Sequence, residues 1–158
     1  MTYKIAQLTQ ENAMIIADEW HYPGKYSFYD MTADPEDYKE ISTPSLRGTN
    51  YYQVLDNGKL VGFFMVEKVA EDKGLYEIGL GMKPELTGHG RGQKFLEAII
   101  EYTLNKFSVK EIILDVAAFN VRAQKVYQKL GFKVIKEHQQ ETNNSVYPFL
   151  EMRKKFAD

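Results

Sequence analysis

Three glycines at alternating positions, Gly88, Gly90 and Gly92, form the segment whose residue types are best suited to holding a ligand. Glycine lets a backbone approach an anion closely, and the amides at the start of a helix carry partial positive charge. The segment therefore predicts a pyrophosphate site. It lacks the Gly-Lys-Ser/Thr ending of a Walker A loop and the spacing of the G-x-G-x-x-G dinucleotide motif. A flexible strand-to-helix turn would use the same glycines, and the residues alone favour neither interpretation.

Asn120 and Tyr127 form a second candidate pair. They are seven residues apart, so in a helix their side chains project from one face. A tyrosine hydroxyl can donate a proton, and an asparagine oxygen can cap a helix while its amide nitrogen stays free for a ligand. From the spacing alone, a capping asparagine and a core tyrosine are the better interpretation.

Glu77 is a candidate general base because of its neighbours along a predicted strand. Strand alternation places Gly79 and Gly81 on the same face as Glu77, with larger side chains on the other face. The missing side chains leave room for an amine to approach the carboxylate. A carboxylate that is only hydrogen-bonded at a strand end is the structural alternative.

The hydrophobic pattern predicts the element order β-α-α-β-β-β-α-β-α-β-β, which is an α/β fold with a mixed sheet. Asn57-Gly58 and Asn143-Asn144 predict hairpins, and Asp34-Pro35 predicts a helix start. The predicted strands are 3–8, 51–55, 60–69, 75–83, 111–116, 132–142 and 146–154. The predicted helices are 11–20, 35–41, a helix from the glycine segment to about 107, and 120–130. A turn is predicted at 72–74.

Composition narrows the function classes. The chain of 158 residues is 44% hydrophobic and 27% charged, which predicts one globular domain over 1–158. The net charge of −2 argues against a general nucleic-acid partner. There is no cysteine, and the three histidines are far apart, so no metal site is expected. No stretch is long and apolar enough to predict a membrane span, and Met1-Thr2 begins no signal peptide, so we expect a cytoplasmic protein.

A family resemblance begins at the glycine segment. Residues 82–93 read Met-Lys-Pro-Glu-Leu-Thr-Gly-His-Gly-Arg-Gly-Gln and are similar to motif A of the GNAT superfamily of N-acetyltransferases, Q/R-x-x-G-x-G/A. Thr87 stands where that motif has Gln or Arg. Residues 120–132 resemble the N-x-x-A-x-x-x-Y-x-x-x-G-F segment of the same superfamily. The resemblance covers roughly residues 51–154, and the first 50 residues resemble the family only in topology.

The resemblance implies a GNAT-type acyl-CoA N-acyltransferase fold, splayed between the strands that end at Met82 and Val116. It implies acetyl-CoA as the acyl donor and Tyr127 as the general acid beside the CoA sulfur. It also implies that the glycine loop cradles the pyrophosphate and that a strand edge pairs with pantetheine. The implied CoA-binding residues are Leu80, Gly81, Met82, Gly88, His89, Gly90, Arg91, Gly92, Gln93 and Asn120.

The implied reaction is acetyl transfer to a primary amine. Without cysteine there is no cysteine acyl-enzyme, which leaves direct transfer in a ternary complex. Asp115 rivals Glu77 as the base, because it precedes Asn120 by five residues, where protein N-terminal acetyltransferases of the superfamily often carry glutamate. Five aromatic residues are candidates to line the acceptor site: Trp20, Tyr22, Tyr26, Phe28 and Tyr29.

Several alternatives remain open from the sequence. The chain could transfer a longer acyl group, or it could be an acyl-CoA-binding sensor or interaction module without turnover. The acceptor could be a protein N-terminus, a lysine, a polyamine, an antibiotic or a small metabolite. A monomer or a homodimer is expected.

Overall fold

Seven strands form one mixed sheet in the computed structural model, which describes residues 3–70 and 73–157. Their spatial order is β1-β2-β3-β4-β5-β7-β6, and only β4 and β5 run parallel. The strands are β1 Tyr3–Gln7, β2 Tyr51–Asp56, β3 Lys59–Ala70, β4 Leu75–Met82, β5 Glu111–Ala117, β6 Lys133–Thr142 and β7 Ser145–Lys155.

Five α-helices cover the two faces of the sheet. They are α1 Gln10–Glu19, α2 Pro35–Ser42, α3 Pro44–Arg47, α4 Gly92–Lys106 and α5 Val121–Lys129. Three short 3₁₀ segments lie at Gly24–Tyr29, Met31–Ala33 and Pro84–Leu86. The predicted mixed α/β fold is therefore confirmed.

Local signals in the sequence start the elements where they were expected. The side chains of Thr9, Asp34 and Asn120 accept hydrogen bonds from the first amides of α1, α2 and α5. Asn57 and Gly58 both have positive φ, at 52° and 77°, as a two-residue hairpin turn requires.

The predicted order lacked one helix, the short α3. Pro44 disfavours helical geometry in the residue before it, so Thr43 is extended and the chain starts a new turn instead of continuing α2. The buried Arg47 holds this turn in place, donating to the carbonyl of Ile41 and, over 3.0 Å, to Oε1 of Gln10.

Two apolar cores lie on opposite faces of the sheet. One packs α4 and α5 against the sheet, and the other packs α1 and α2. The middle of β3 contributes to both, because Phe64 points into the first core and Phe63 into the second. This confirms the prediction that β3 is buried on both faces.

β4 and β5 pair over only three residues before they separate. Their register joins Leu75 to Glu111, Tyr76 to Ile112 and Glu77 to Ile113. Beyond that point β4 continues as far as Met82 without β5 beside it. The predicted splay between the two strands is thus present, with Glu77 at its inner end.

Two sequence features, the first two residues and the start of the predicted turn at Asp72, lie outside the described residues.

We expect Asp34→Ala to destabilise the fold more than Thr9→Ala, although both remove a helix cap. Asp34 Oδ1 accepts the amides of Glu36 and Asp37, whereas Oδ2 accepts the Thr142 hydroxyl and the Asn143 amide, both at 2.9 Å. Losing both sets should cost about 2 kcal/mol in urea denaturation, against about 1 kcal/mol for Thr9→Ala.

The stability lost in Asp34→Ala should depend on pH. The hydrogen bonds, chiefly that from the Asn143 amide, lower the pKa of Asp34. A lowered carboxyl pKa stabilises the fold above the unfolded pKa, and this contribution is lost as the pH falls through the folded pKa. The difference between wild type and Asp34→Ala should therefore shrink below about pH 4. Equal losses for the two variants at neutral pH would contradict the dual role of Asp34.

Candidate functional site

An unpaired strand edge forms the centre of the candidate site. The Lys83 amide donates to the Val61 carbonyl over 2.8 Å, so the backbone of Lys83 faces β3. In an antiparallel pair this orientation alternates, and Met82, Leu80 and Ile78 therefore turn their amides and carbonyls toward β5. Since β5 has separated from β4 there, these groups line an open slot.

Tyr22 closes the outer end of this slot. Its hydroxyl donates a hydrogen bond to the Met82 carbonyl over 2.7 Å. Burial raises the pKa of the Tyr22 phenol, so the group stays protonated and acts as a donor. The remaining backbone groups of the edge, at Leu80 in particular, are the ones that an extended amide-bearing ligand can pair with.

The glycine loop lies where β4 ends and α4 begins. Gly88 and Gly90 have φ of 75° and 76°, a conformation that favours glycine, and both are exposed. Arg91 precedes the first helical residue, and its side chain makes no capping hydrogen bond, so the first amides of α4 have no side-chain acceptor. Thr87, the departure from the family motif, donates its hydroxyl to Pro84 and closes the preceding 3₁₀ turn.

The remaining loop residues differ in what surrounds them. Gly92 sits against α5, because a β-carbon there would lie 3.3 Å from Cγ2 of Val126. His89 and Gln93 are exposed. Arg91 is exposed, and its charge opposes the rise that burial causes in the pKa of the Tyr3 phenol on β1.

Asn120 uses more of its side chain than predicted. Its Oδ1 accepts the Ala123 amide at 3.1 Å, as expected for a cap. Its amide nitrogen was expected to be free, and that expectation is wrong, because it donates to the hydroxyl of Tyr29 over 3.1 Å. One of the two hydrogens on that nitrogen is therefore engaged, and Tyr29 joins the site.

Tyr127 lies on α5 with its ring packed against the core and 6.4 Å from the Phe132 ring. Its hydroxyl makes no hydrogen bond within residues 3–70 and 73–157. Burial, with a smaller effect from Tyr29, raises the pKa of this hydroxyl. The group is therefore protonated at neutral pH, and its donor has no protein partner among the described residues.

Glu77 occupies the fork at which β4 and β5 separate. Glu67 lies directly opposite it on β3, so two like charges share one face of the sheet. Burial raises the pKa of Glu77, and Asp115, Glu67 and Glu151 raise it further. Within the described residues its carboxylate has no hydrogen-bond or ion-pair partner.

Asp115 lies on the same face but is already engaged. Its Oδ1 is 2.8 Å from Nε2 of His138, and burial raises its pKa while His138 lowers it. Glu151 lies directly opposite Asp115 and is paired with Arg153 at 2.8 Å. Asp115 is therefore bound to an imidazole, whereas Glu77 is available.

The aromatic segment 20–29 divides into two groups. Trp20 is 4% exposed and packs 6.1 Å from Phe63 in the core, so its predicted place in the acceptor wall is wrong. Tyr26, Phe28 and Tyr29 instead form a cluster with three aromatic residues from beyond β5: Phe119, Tyr147 and Phe149. This aromatic cluster covers the start of α5.

Sequence reasoning missed His138 and Arg122, and it named Tyr29 only as a lining residue, without its contact to Asn120. Tyr29 reaches Asn120 across 91 positions of sequence, and His138 reaches Asp115 across 23. Arg122 lies inside the second motif, two residues after Asn120. Its positive charge within that motif is the sequence signal that could have identified it. Among the described residues no cluster of His, Asp and Glu could hold a metal ion, and no helix is long and apolar enough to cross a membrane.

Comparison with protein families shows a match over most of the chain. The model of the acetyltransferase (GNAT) family matches residues 13–132. The match begins in α1, so the expectation that the first 50 residues resemble the family only in topology is wrong from residue 13 onward.

Two curated bacterial enzymes are similar in sequence. The chain is 31% identical over 97 residues to the alanine N-acetyltransferase of ribosomal protein bS18 from Escherichia coli, which covers 60% of this chain and 64% of that enzyme. It thus spans less than two thirds of that enzyme's length. It is 29% identical over 142 residues to the spermine/spermidine N(1)-acetyltransferase of Bacillus subtilis, covering 84% of this chain and 89% of that one.

Solved structures share the fold. An aminoglycoside acetyltransferase, AAC(6')-Ib, in complex with coenzyme A has a TM-score of 0.74 at 19% identity, covering 98% of this chain and 95% of that one. A chimera of a spermidine N-acetyltransferase from Vibrio cholerae has a TM-score of 0.73 at 16% identity, covering 97% and 95%. At these identities the likeness shows the fold alone.

Proposed function

The chain belongs to the GNAT family of acetyltransferases, and we propose that it transfers an acetyl group from acetyl-CoA to a primary amine in a ternary complex. One observation carries the proposal. The open edge of β4 runs from the glycine loop to Glu77, so a single slot joins an anion-binding loop to an unpartnered carboxylate.

The acetyl-CoA binding mode follows from that slot. The pyrophosphate lies on the amides of Gly88 to Gln93, whose two positive-φ glycines bring no side chain between backbone and ligand. The pantetheine amides pair with Leu80 and its neighbours as an added strand. Asn120, from the opposite side, offers its second amide hydrogen. The acetyl group then lies near the fork at Glu77.

The chemistry moves three protons. Glu77 accepts a proton from the incoming ammonium, and the free amine attacks the thioester carbonyl carbon. The C–N bond forms, the C–S bond breaks, and the departing thiolate takes the proton of the Tyr127 hydroxyl. The new amide nitrogen releases its second proton, which returns the Tyr127 phenolate to the phenol, and Glu77 gives its proton to solvent. Both groups have pKa values raised by burial, so the carboxylate is a stronger base and the phenol stays protonated until the sulfur leaves.

The acceptor is, in this proposal, a small amine with more than one positive charge. Glu67 opposite Glu77, and Asp115 opposite Glu151, are two like-charged cross-strand pairs on the acceptor face. Such pairs destabilise a sheet unless cations neutralise them. Among the described residues, Glu67 and Glu77 have no cationic partner, so a bound cation would stabilise them. The name of one relative, a spermine/spermidine acetyltransferase, also supports a polyamine-like acceptor.

A CoA-binding module without turnover is the competing function. It would need the loop but neither the free hydroxyl of Tyr127 nor the exposed approach to Glu77.

Transfer of a longer acyl group needs a deeper cavity at the fork. The partly buried Met65 narrows that space, because its methyl carbon is 3.6 Å from where a Gly79 β-carbon would lie. Both observations favour acetyl transfer.

CoA should raise the melting temperature of the protein, by roughly 5–10 °C at a hundredfold excess over the dissociation constant.

Gly90→Ala should weaken CoA binding about tenfold or more, because alanine disfavours the loop's positive φ. Gly48→Ala is the matched control, since Gly48 also has positive φ and open space around it but lies beyond α3. Equal CoA affinities in the two folded variants would exclude the loop as the pyrophosphate site.

An amine panel with acetyl-CoA tests the acceptor. Free thiol should appear fastest with spermidine, more slowly with a single-charge amine, and slowest with a peptide that begins with alanine. High salt should reduce the preference for spermidine, because exposed charges are screened. Faster reaction with the peptide than with spermidine would overturn the acceptor assignment.

Glu77→Gln should lower turnover roughly 100-fold or more, whereas Asp115→Asn should have a much smaller effect. In the wild type, kcat/KM should rise with pH as Glu77 ionises, with a midpoint above the ordinary glutamate range because its pKa is raised. The pH profile of Glu77→Gln should lack the rise caused by Glu77 ionisation. It should keep the rise caused by deprotonation of the amine substrate. The reverse ranking of the two variants would make Asp115 the base.

Tyr127→Phe should lower turnover roughly 100-fold while CoA affinity holds, because only the acid is lost. Stability should change by less than about 1 kcal/mol, since the hydroxyl has no partner to lose. Tyr102→Phe, on the far end of α4, is the control. Steady-state transfer is measured where chemistry limits the rate, and wild-type turnover in Tyr127→Phe would make Tyr127 a packing residue.

A further inference from the structure

Arg122 places a guanidinium beside the glycine loop. It lies in the first turn of α5, and its Nη1 is 3.2 Å from the point that a β-carbon on Gly88 would occupy. Its side chain is exposed, and no carboxylate within the described residues pairs with it. Arg122 is thus the guanidinium that the structure brings to Gly88.

An aromatic ring holds Arg122 in that position. The guanidinium carbon lies 4.1 Å from the centre of the Tyr26 ring, a cation–π distance. Tyr26 in turn packs 6.1 Å from Phe119, and the Lys25 ammonium lies 5.5 Å from the Tyr26 ring. Two cations therefore lie near one ring, an arrangement that an anion would stabilise.

We propose that Arg122, held by Tyr26, binds the pyrophosphate of CoA together with the glycine loop and so links the segment Gly24–Tyr29 to the cofactor site. The inference rests on the proposed function, since it assumes that the loop binds CoA. The pyrophosphate is the phosphate group that fits this position. Nη1 of Arg122 lies beside Gly88 in the loop, and not farther along α4.

The link has a consequence for the acceptor side. The same 3₁₀ segment carries Tyr29, whose hydroxyl accepts a hydrogen bond from Asn120. Neutralising Arg122 and Lys25 with a phosphate stabilises Tyr26 and hence this segment. Bound CoA should therefore order the segment that carries Tyr29.

The test compares Arg122→Gln with Lys129→Gln, which removes the same charge two turns along the same helix. Arg122→Gln should raise the KM for acetyl-CoA and the dissociation constant of CoA roughly 10–100-fold, with kcat little changed. Lys129→Gln should leave both constants near wild type. If the wild type fails to bind CoA in calorimetry, the proposed function itself fails. If it binds and Arg122→Gln binds as tightly, only this inference is overturned.

Truncated donors identify the phosphate. With S-acetylpantetheine, which has no phosphate beyond the pantetheine, Arg122→Gln and wild type should have equal kcat/KM. With acetyl-dephospho-CoA, which keeps the pyrophosphate and lacks the 3′-phosphate, the deficit should persist in full. A deficit that disappears with acetyl-dephospho-CoA would move Arg122 to the 3′-phosphate and overturn the assignment.

The link to Tyr26 has its own readouts. Tyr26→Leu should lose part of the CoA affinity, Tyr26→Phe should retain it, and the double variant Tyr26→Leu/Arg122→Gln should be no weaker than Arg122→Gln. Saturating CoA should slow hydrogen exchange in residues 24–29 of the wild type and slow it less in Arg122→Gln. Additive losses in the double variant, or identical exchange in the two proteins, would contradict the coupling.

Discussion

The separation of β4 from β5 after Glu77 and Ile113 is the constraint on which the rest of the site depends. A strand in a sheet normally satisfies its amides and carbonyls on both sides, and beyond the fork β4 satisfies them on one side only. The loop that follows β4 begins α4, and the loop that follows β5 begins α5, so the glycines and Asn120 both reach the same opening. One break in backbone pairing thus creates the slot and places the residues around it.

Charge accumulates on one face of the sheet at this break. Glu67 and Glu77 oppose each other, as do Asp115 and Glu151, and each pair costs stability by itself. His138 and Arg153 compensate the outer pair through contacts of 2.8 Å, but the inner pair has no such compensation in the described residues. The fold therefore retains one carboxylate of raised pKa next to an open strand edge, the arrangement that proton transfer from an amine requires.

Side chains from the segment 20–29 connect the two ends of the slot. Tyr22 reaches Met82, Tyr26 supports Arg122 beside Gly88, and Tyr29 holds Asn120. The Tyr22 contact satisfies a carbonyl that the separation of the strands would otherwise leave without a protein partner. The aromatic cluster anchors this segment on β7 and on the start of α5. The two sides of the slot consequently share one support.

The sequence by itself determined the mixed α/β fold and the boundaries of most elements, because caps such as Thr9 and Asp34 and turns such as Asn57-Gly58 act over three or four residues. It also determined the glycine loop, since positive φ at Gly88 and Gly90 is a local requirement. Only the tertiary structure decided that Asn120 bonds Tyr29, that Asp115 bonds His138 and that Trp20 is core. Those contacts join residues that are distant in the chain, and their energies depend on burial and on neighbouring charges, which no local pattern encodes.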